Sequence, residues 1–160
     1  MFDITLITVG KLKEKFYLSA ASEYEKRLKA YCNFHILELA EYRLPENPSS
    51  AEISMGLDKE AEAILQKIPK GAWFCILTPE GKVLSSEAFA DKLKEVKLSG
   101  KSSACFLIGS SFGISPLIKQ KADFKLSMGP MTFPHHLARV MVLEQIYRAE
   151  AIQAGSKYHK

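Results

Sequence analysis

Polar chemistry gathers at the end of this chain. Beyond Gly155 the last residues, Ser156 to Lys160, carry an aromatic, an imidazole and a cation in a row: Tyr158, His159 and Lys160. Chain ends are usually frayed and chemically dull, so this trio predicts a terminus folded back onto something. It offers a ring for base stacking, a group titrating near neutrality and a cation for a phosphate or a developing anion. Upstream, Arg139 has no acidic residue three or four places away on either side. It is therefore expected to be free for an external anion such as a phosphate or a cofactor carboxylate. Glu144 and Arg148 stand at i,i+4 and are expected to pair. His135 and His136 are adjacent, point in different directions and have no Cys or Asp at ligand spacing. A helix cap or a hydrogen bond is expected of them rather than a metal site, which needs three correctly placed ligands.

Two glycine-bearing loops add a second kind of chemistry. Gly109-Ser110-Ser111-Phe112-Gly113 leaves an apolar strand and leads into a helix. Glycine there lets a ligand approach the backbone, and a helix N-terminus favours anionic groups. By itself the loop also fits an ordinary strand-to-helix turn. Leu126 to Pro134 is a second such loop. With the turn after Leu77, three loops follow the C-terminal ends of apolar strands, where open α/β sheets bind ligands. No dinucleotide or phosphate-loop motif is present.

These loops need a frame, and the sequence supplies an alternating one. Strands are expected over Phe2–Val9, Phe34–Leu39, Ala72–Thr78, Ser103–Ile108 and Phe124–Met128. Helical spacing marks Glu14–Tyr31, a stretch from Leu57 to Ile68, one capped by Ser86 and running through Val96, one opened by Ser115-Pro116, and a last helix from His135 to Ala154. Glu41 to Ser54 reads as a loop, and Pro79 to Lys82 as a turn. The class is α/β with a mainly parallel sheet. The last helix is apolar almost all round, which predicts burial on most sides, either in the core or against a partner chain.

Composition bounds the rest. The chain has 160 residues, 47% apolar and 25% charged, enough for one domain with a full core. A net charge of +4 permits an anionic partner without requiring one, and Lys11, Lys13 and Lys15 are candidates for phosphate contact. None of the three cysteines lies at CxxC spacing. Cys75 and Cys105 read as buried small hydrophobes and Cys32 as partly exposed, a pattern at home in a reducing cytoplasm. Neither a signal peptide nor a membrane-spanning run is legible, so a soluble, cytoplasmic protein is expected.

Several stretches together resemble the ribosomal large-subunit RNA methyltransferase H family, a branch of the SPOUT methyltransferases. They are MTFPHHLARV, LEQIYRA and the terminal YHK, with LTPEGKVLSSEAFA, FLIGSSFGIS, ITVGKLKEKF and YEKRL in place and order. The resemblance covers essentially the whole chain, 1–160, as a single domain. It implies a C-terminal trefoil knot and S-adenosylmethionine contacts on Leu77, on Gly109 and Ser110, and on Gly129, Pro130, Met131, Thr132, Phe133 and Pro134. It implies methylation of N3 of a pseudouridine in large-subunit ribosomal RNA within the ribosome, with no metal. His159 would be the base, Arg139 or Lys160 would stabilise the anion, and Tyr158 would complete the site. It further implies a homodimer in which one tail approaches the other chain's cofactor, with Val142 and Ile146 on the dimer face. Ser110 stands where the family usually has a second glycine, which would be costly if that position needs positive φ. The alternative is a non-catalytic RNA- or ribosome-binding protein that kept the fold, separable by cofactor titration.

Overall fold

The computed structural model describes residues 1–160. Strands β1 (Asp3–Val9), β2 (Asn33–Leu39), β3 (Trp73–Val83), β4 (Ser103–Ile108) and β5 (Phe124–Ser127) alternate with helices α1 (Lys15–Leu28), α2 (Ser50–Lys67), α3 (Ser86–Leu98), α4 (Pro116–Lys121) and α5 (His135–Gln153). The five strands form one parallel sheet in the order β2-β1-β4-β3-β5. No helix is long and apolar enough to cross a membrane.

The apolar strand runs follow from this topology. A parallel sheet with helices on both faces buries successive side chains alternately into two cores. Ile4, Leu6, Trp73, Cys75, Ala104 and Phe106 face α1, α3 and α5, which supply Leu28, Leu93, Leu143 and Ile146. Ile7, Val9, Phe74, Ile76, Cys105 and Leu107 face α2 and α4, which supply Ala61, Ile64 and Ile118. Helix α5 lies between α1 and α3, and Glu150, 4% exposed, is held by Lys97 of α3 at 2.7 Å.

Several boundaries differ from expectation for local reasons. Helix α1 stops at Leu28, with Ala30 and Tyr31 in a turn closed by N–H bonds to Arg27 and Leu28. The expected loop from Glu41 to Ser54 is already helical from Ser50, because Ser49 and Glu52 form a reciprocal capping box. Ser85, not Ser86, caps α3 by accepting from the Ala88 N–H, while Ser86 donates to Gln145 on α5. Ser115 and Pro116 open α4 as the sequence predicts. Cys32 is 1% exposed and not partly exposed as expected, and burial pushes its thiol up to about 12.

The largest departure is at Pro79 to Lys82, which is not a simple turn. Strand β3 continues through it to Val83, with an irregularity that lets Leu126 pair with both Leu77 and Lys82. A Cβ on Gly81 would stand 2.7 Å from the backbone carbons of Lys125 and Leu126. Only a residue without a side chain lets the two backbones cross that closely.

Candidate active site

In the sheet order β4, β3 and β5 are neighbours, so the loops leaving the C-terminal ends of β4 and β5 meet beside the irregular stretch of β3. They close a cleft of about 400 Å3, within the usual size of small-molecule sites. Leu77, Thr78 and Pro79 come from β3, Ile108 to Ser111 with Gly113 and Ile114 follow β4, and Ser127 to Phe133 follow β5. His135 and Ala138 of α5 complete the wall.

Each loop is fixed by its own chemistry. A Cβ on Gly109 would lie 2.5 Å from the Gly113 carbonyl oxygen and 2.6 Å from Ile114 Cγ1, so the turn has no room for a side chain there. The Gly113 N–H donates to the Ser110 carbonyl at 2.9 Å and Gly113 takes φ +100°. Ser110 itself has no positive φ, so serine costs no backbone strain at this position, contrary to the concern raised by the sequence. Its hydroxyl faces Glu60, a carboxyl that burial pushes up despite the Tyr42 N–H at 2.9 Å. Gly129 takes φ +113°, and its N–H donates to Ser127 Oγ at 3.1 Å. At the β3 loop the Lys119 ammonium, helped by the Thr78 hydroxyl, holds the Glu80 carboxyl down at about 2 and ties the loop to α4.

The structure gathers most of the expected binding residues and separates the others. Leu77, Gly109, Ser110, Gly129, Pro130, Met131, Thr132 and Phe133 all line the cleft. Pro134 does not; it is the residue preceding α5. His135 neither caps the helix nor serves a metal cluster, but lines the cleft, and burial followed by the neighbouring His136 keeps its imidazole below the ordinary value. Its signal was a polar residue directly after the cleft loop.

Arg139 is not free. It is 3% exposed, donates to Glu38 Oε2 at 2.6 Å and to the Gly10 carbonyl at 2.9 Å, and thereby clamps the ends of β1 and β2 to the first turns of α5. Burial raises the Glu38 carboxyl, but Arg139 and the Leu12 N–H outweigh it and leave the net value below the ordinary 4.5. Stability from a depressed carboxylate is present above its unfolded value and lost as pH falls through the folded one. Arg139→Met is expected to cost on the order of 2 kcal/mol at neutral pH, between exposed and fully buried pairs. That corresponds to about 4–8 °C in melting temperature for a chain of this size. Melts across pH check it: the gap between variant and parent narrows as pH falls below 4.5.

The terminal trio is folded back, as expected, but outside this cleft. Tyr158 Oη donates to Glu144 at 3.0 Å, packs its ring on Tyr147 at 4.7 Å, and lies under the Arg148 guanidinium. Glu144 and Arg148 pair at 2.6 Å as the spacing predicts. Burial, then Glu144, pushes the Tyr158 phenol up to about 12, so it remains a donor at neutral pH. Arginine can only donate, so His159 Nδ1 accepts from Arg148 at 3.1 Å and Nε2–H donates to Glu87 at 2.7 Å. Lys160 is exposed. Val142 and Ile146 are 3% and 0% exposed in the chain's own core, so they do not present a face to a second copy.

Known proteins resemble the chain in sequence and in fold. The family model described as "Predicted SPOUT methyltransferase" matches residues 2–159. Proteins named ribosomal RNA large subunit methyltransferase H from Alkaliphilus oremlandii and Bacillus pumilus are each 46% identical over 158 residues, covering 99% of this chain and 99% of theirs. The crystal structure of tRNA (m1G37) methyltransferase from Aquifex aeolicus superposes with a TM-score of 0.50 at 15% identity, over 91% of this chain and 69% of that one. At that identity the likeness is one of fold.

Proposed function

The chain belongs to the ribosomal RNA large subunit methyltransferase H family of SPOUT methyltransferases, and from that premise we propose that it methylates N3 of a pseudouridine in large-subunit ribosomal RNA, using S-adenosylmethionine bound in the strand-end cleft. The observation that carries the reading is the convergence of the loops after β4 and β5 and the irregular stretch of β3 on one cleft, walled largely by backbone and apolar side chains. Leu77, Ile108, Ile114 and Met128 offer apolar cover for a purine. The main chain of Gly109–Ser110 and of Gly129–Phe133 offers hydrogen bonds at close range, which the absent side chain at Gly109 permits. These residues fit the cofactor, which when bound supplies an activated methyl group for direct displacement.

The chain's remaining work is alignment and proton removal. An imide nitrogen must lose its proton to become the nucleophile. In this reading His159 takes that proton through a ring nitrogen released from its present contacts. Lys160 stabilises the anion, and Tyr158 presents a ring and a hydroxyl donor. Arg139 acts by positioning, since it holds the β1 and β2 ends against the cleft helix. None of the trio lines the cleft of its own chain, which supports a homodimer in which each tail completes the other copy's site. Residues 1–160 act as one methyltransferase domain in this account. A knotted C-terminal segment belongs to it too, supported by membership of the SPOUT family.

Calorimetric titration tests the site. S-adenosylmethionine is expected to bind in the micromolar range with about one site per chain, and ATP at least tenfold more weakly, since no phosphate loop is present. Equal binding of the two, or none, contradicts the assignment. Binding of ribosomes without the cofactor would favour the non-catalytic alternative.

A further inference from the structure

A line of rings leads out of the cleft along the segment after β1. His135 lines the cleft, and its ring lies 4.2 Å from that of His136. His136 meets Tyr17 edge-on at 6.1 Å, and Tyr17 lies 4.3 Å from Phe16. Phe16 ends the line and is 66% exposed. Lys11, Lys13 and Lys15 are exposed on the same segment, and none of them forms an ion pair. The one acid among them, Glu14, lies 3.4 Å from His136, so the segment carries three cations against one carboxylate.

We propose that this segment is a docking strip for unpaired nucleotides flanking the target base: Phe16 stacks on a base while Lys11, Lys13 and Lys15 meet phosphates. The inference rests on the RNA-methyltransferase reading and adds to it the path the strand follows outside the cleft. A lone exposed phenylalanine needs no explanation. This one stands among three lysines that outnumber the single acid of their segment, at the outer end of rings that begin in the reaction cleft. Exposed aromatic faces among cations are the means by which proteins hold single strands, because every base has a stackable face. A base inside a duplex offers no such face, so the strip selects unpaired RNA. A second copy of this chain would have to bring acids to the lysines, whereas a phosphate backbone brings one negative charge per nucleotide.

The test compares Phe16→Ala, Phe16→Trp and a triple Lys→Gln variant at 11, 13 and 15 with the parent. Steady-state methyl transfer to ribosomes lacking the modification, S-adenosylmethionine titration and light scattering are measured for each. Phe16→Ala is expected to raise KM for RNA about tenfold, the loss of one stacked base. Its kcat, cofactor affinity and oligomeric state should stay at parental values, and Phe16→Trp should restore KM. The lysine variant should flatten the dependence of log KM on log salt by about 2, the slope for three single-strand phosphates. An unchanged KM in Phe16→Ala, or a change in its oligomeric state, overturns the proposal. A parent that transfers no methyl to the RNA of these ribosomes overturns the functional reading itself, which is a separate result.

Discussion

Deleting Tyr158, His159 and Lys160 is expected to lower methyl transfer about 10²–10⁴-fold, the range for loss of a positioned acid–base group. The fold and most of the cofactor affinity should survive. The trio lies beyond the helix stop at Gly155, where φ is +70°, and contributes no residue to either buried core. The Glu144–Arg148 pair is complete without it. What disappears is a phenol donor, an imidazole whose two nitrogens are both hydrogen-bonded, and a free cation. Single-turnover transfer to ribosomes, run beside a thermal melt, checks this. A truncated protein with parental turnover removes the tail from the site, and one that no longer melts cooperatively shows the trio to be structural.

Gly81→Ala is expected to cost far more stability than a methyl group added at an open glycine of this chain. The new Cβ would meet the main chain of Lys125 and Leu126 at 2.7 Å, and backbone cannot swing aside as a side-chain tip can. Strand β5 would have to separate from β3, at a cost of about 3 kcal/mol or more. Because Leu77 to Pro79 of β3 and the loop after β5 wall the cleft, cofactor affinity should fall with stability. Gly71→Ala is the matched control. Gly71 has φ +74° but nothing within 4 Å of a new Cβ, so only the backbone preference is lost, about 1–2 kcal/mol. Denaturant titration and calorimetry on both variants separate crowding from conformational strain. Gly81 has no positive φ, so a loss no larger than that of Gly71→Ala would show that the β3 and β5 backbones move apart at little cost.

The elements were legible where local pattern decided them. Ser103–Ile108 reads as a strand because all six residues are buried between two helical layers, and Ser115-Pro116 opens a helix through contacts within its own turn. The start of α2 was also written locally, in the capping box of Ser49 and Glu52, but the prolines and serines around it read as loop. Other features had no local sign. The stretch Pro79–Lys82 has turn composition, and only its partner strand more than forty residues on holds it extended. The helix-neighbour rule left Arg139 free because it sees only four residues either way, whereas Glu38 lies 101 residues away. Strand order is likewise non-local, and it alone brings the two glycine-bearing loops together beside Leu77 of β3. The tail's residue types announced that it would be folded back, but its address on α5 and α3, away from its own cleft, came only from coordinates.

The central claim is methyl transfer to one nucleotide of large-subunit RNA. Purified protein, ribosomes lacking the modification and S-adenosylmethionine are incubated together, and the RNA of each subunit is digested and analysed by mass spectrometry. The account predicts a single added methyl, on N3 of a pseudouridine in the large-subunit RNA, with none in the small-subunit RNA and none when the cofactor is omitted. RNA left unmethylated, or a methyl on another base or in the small subunit, contradicts it.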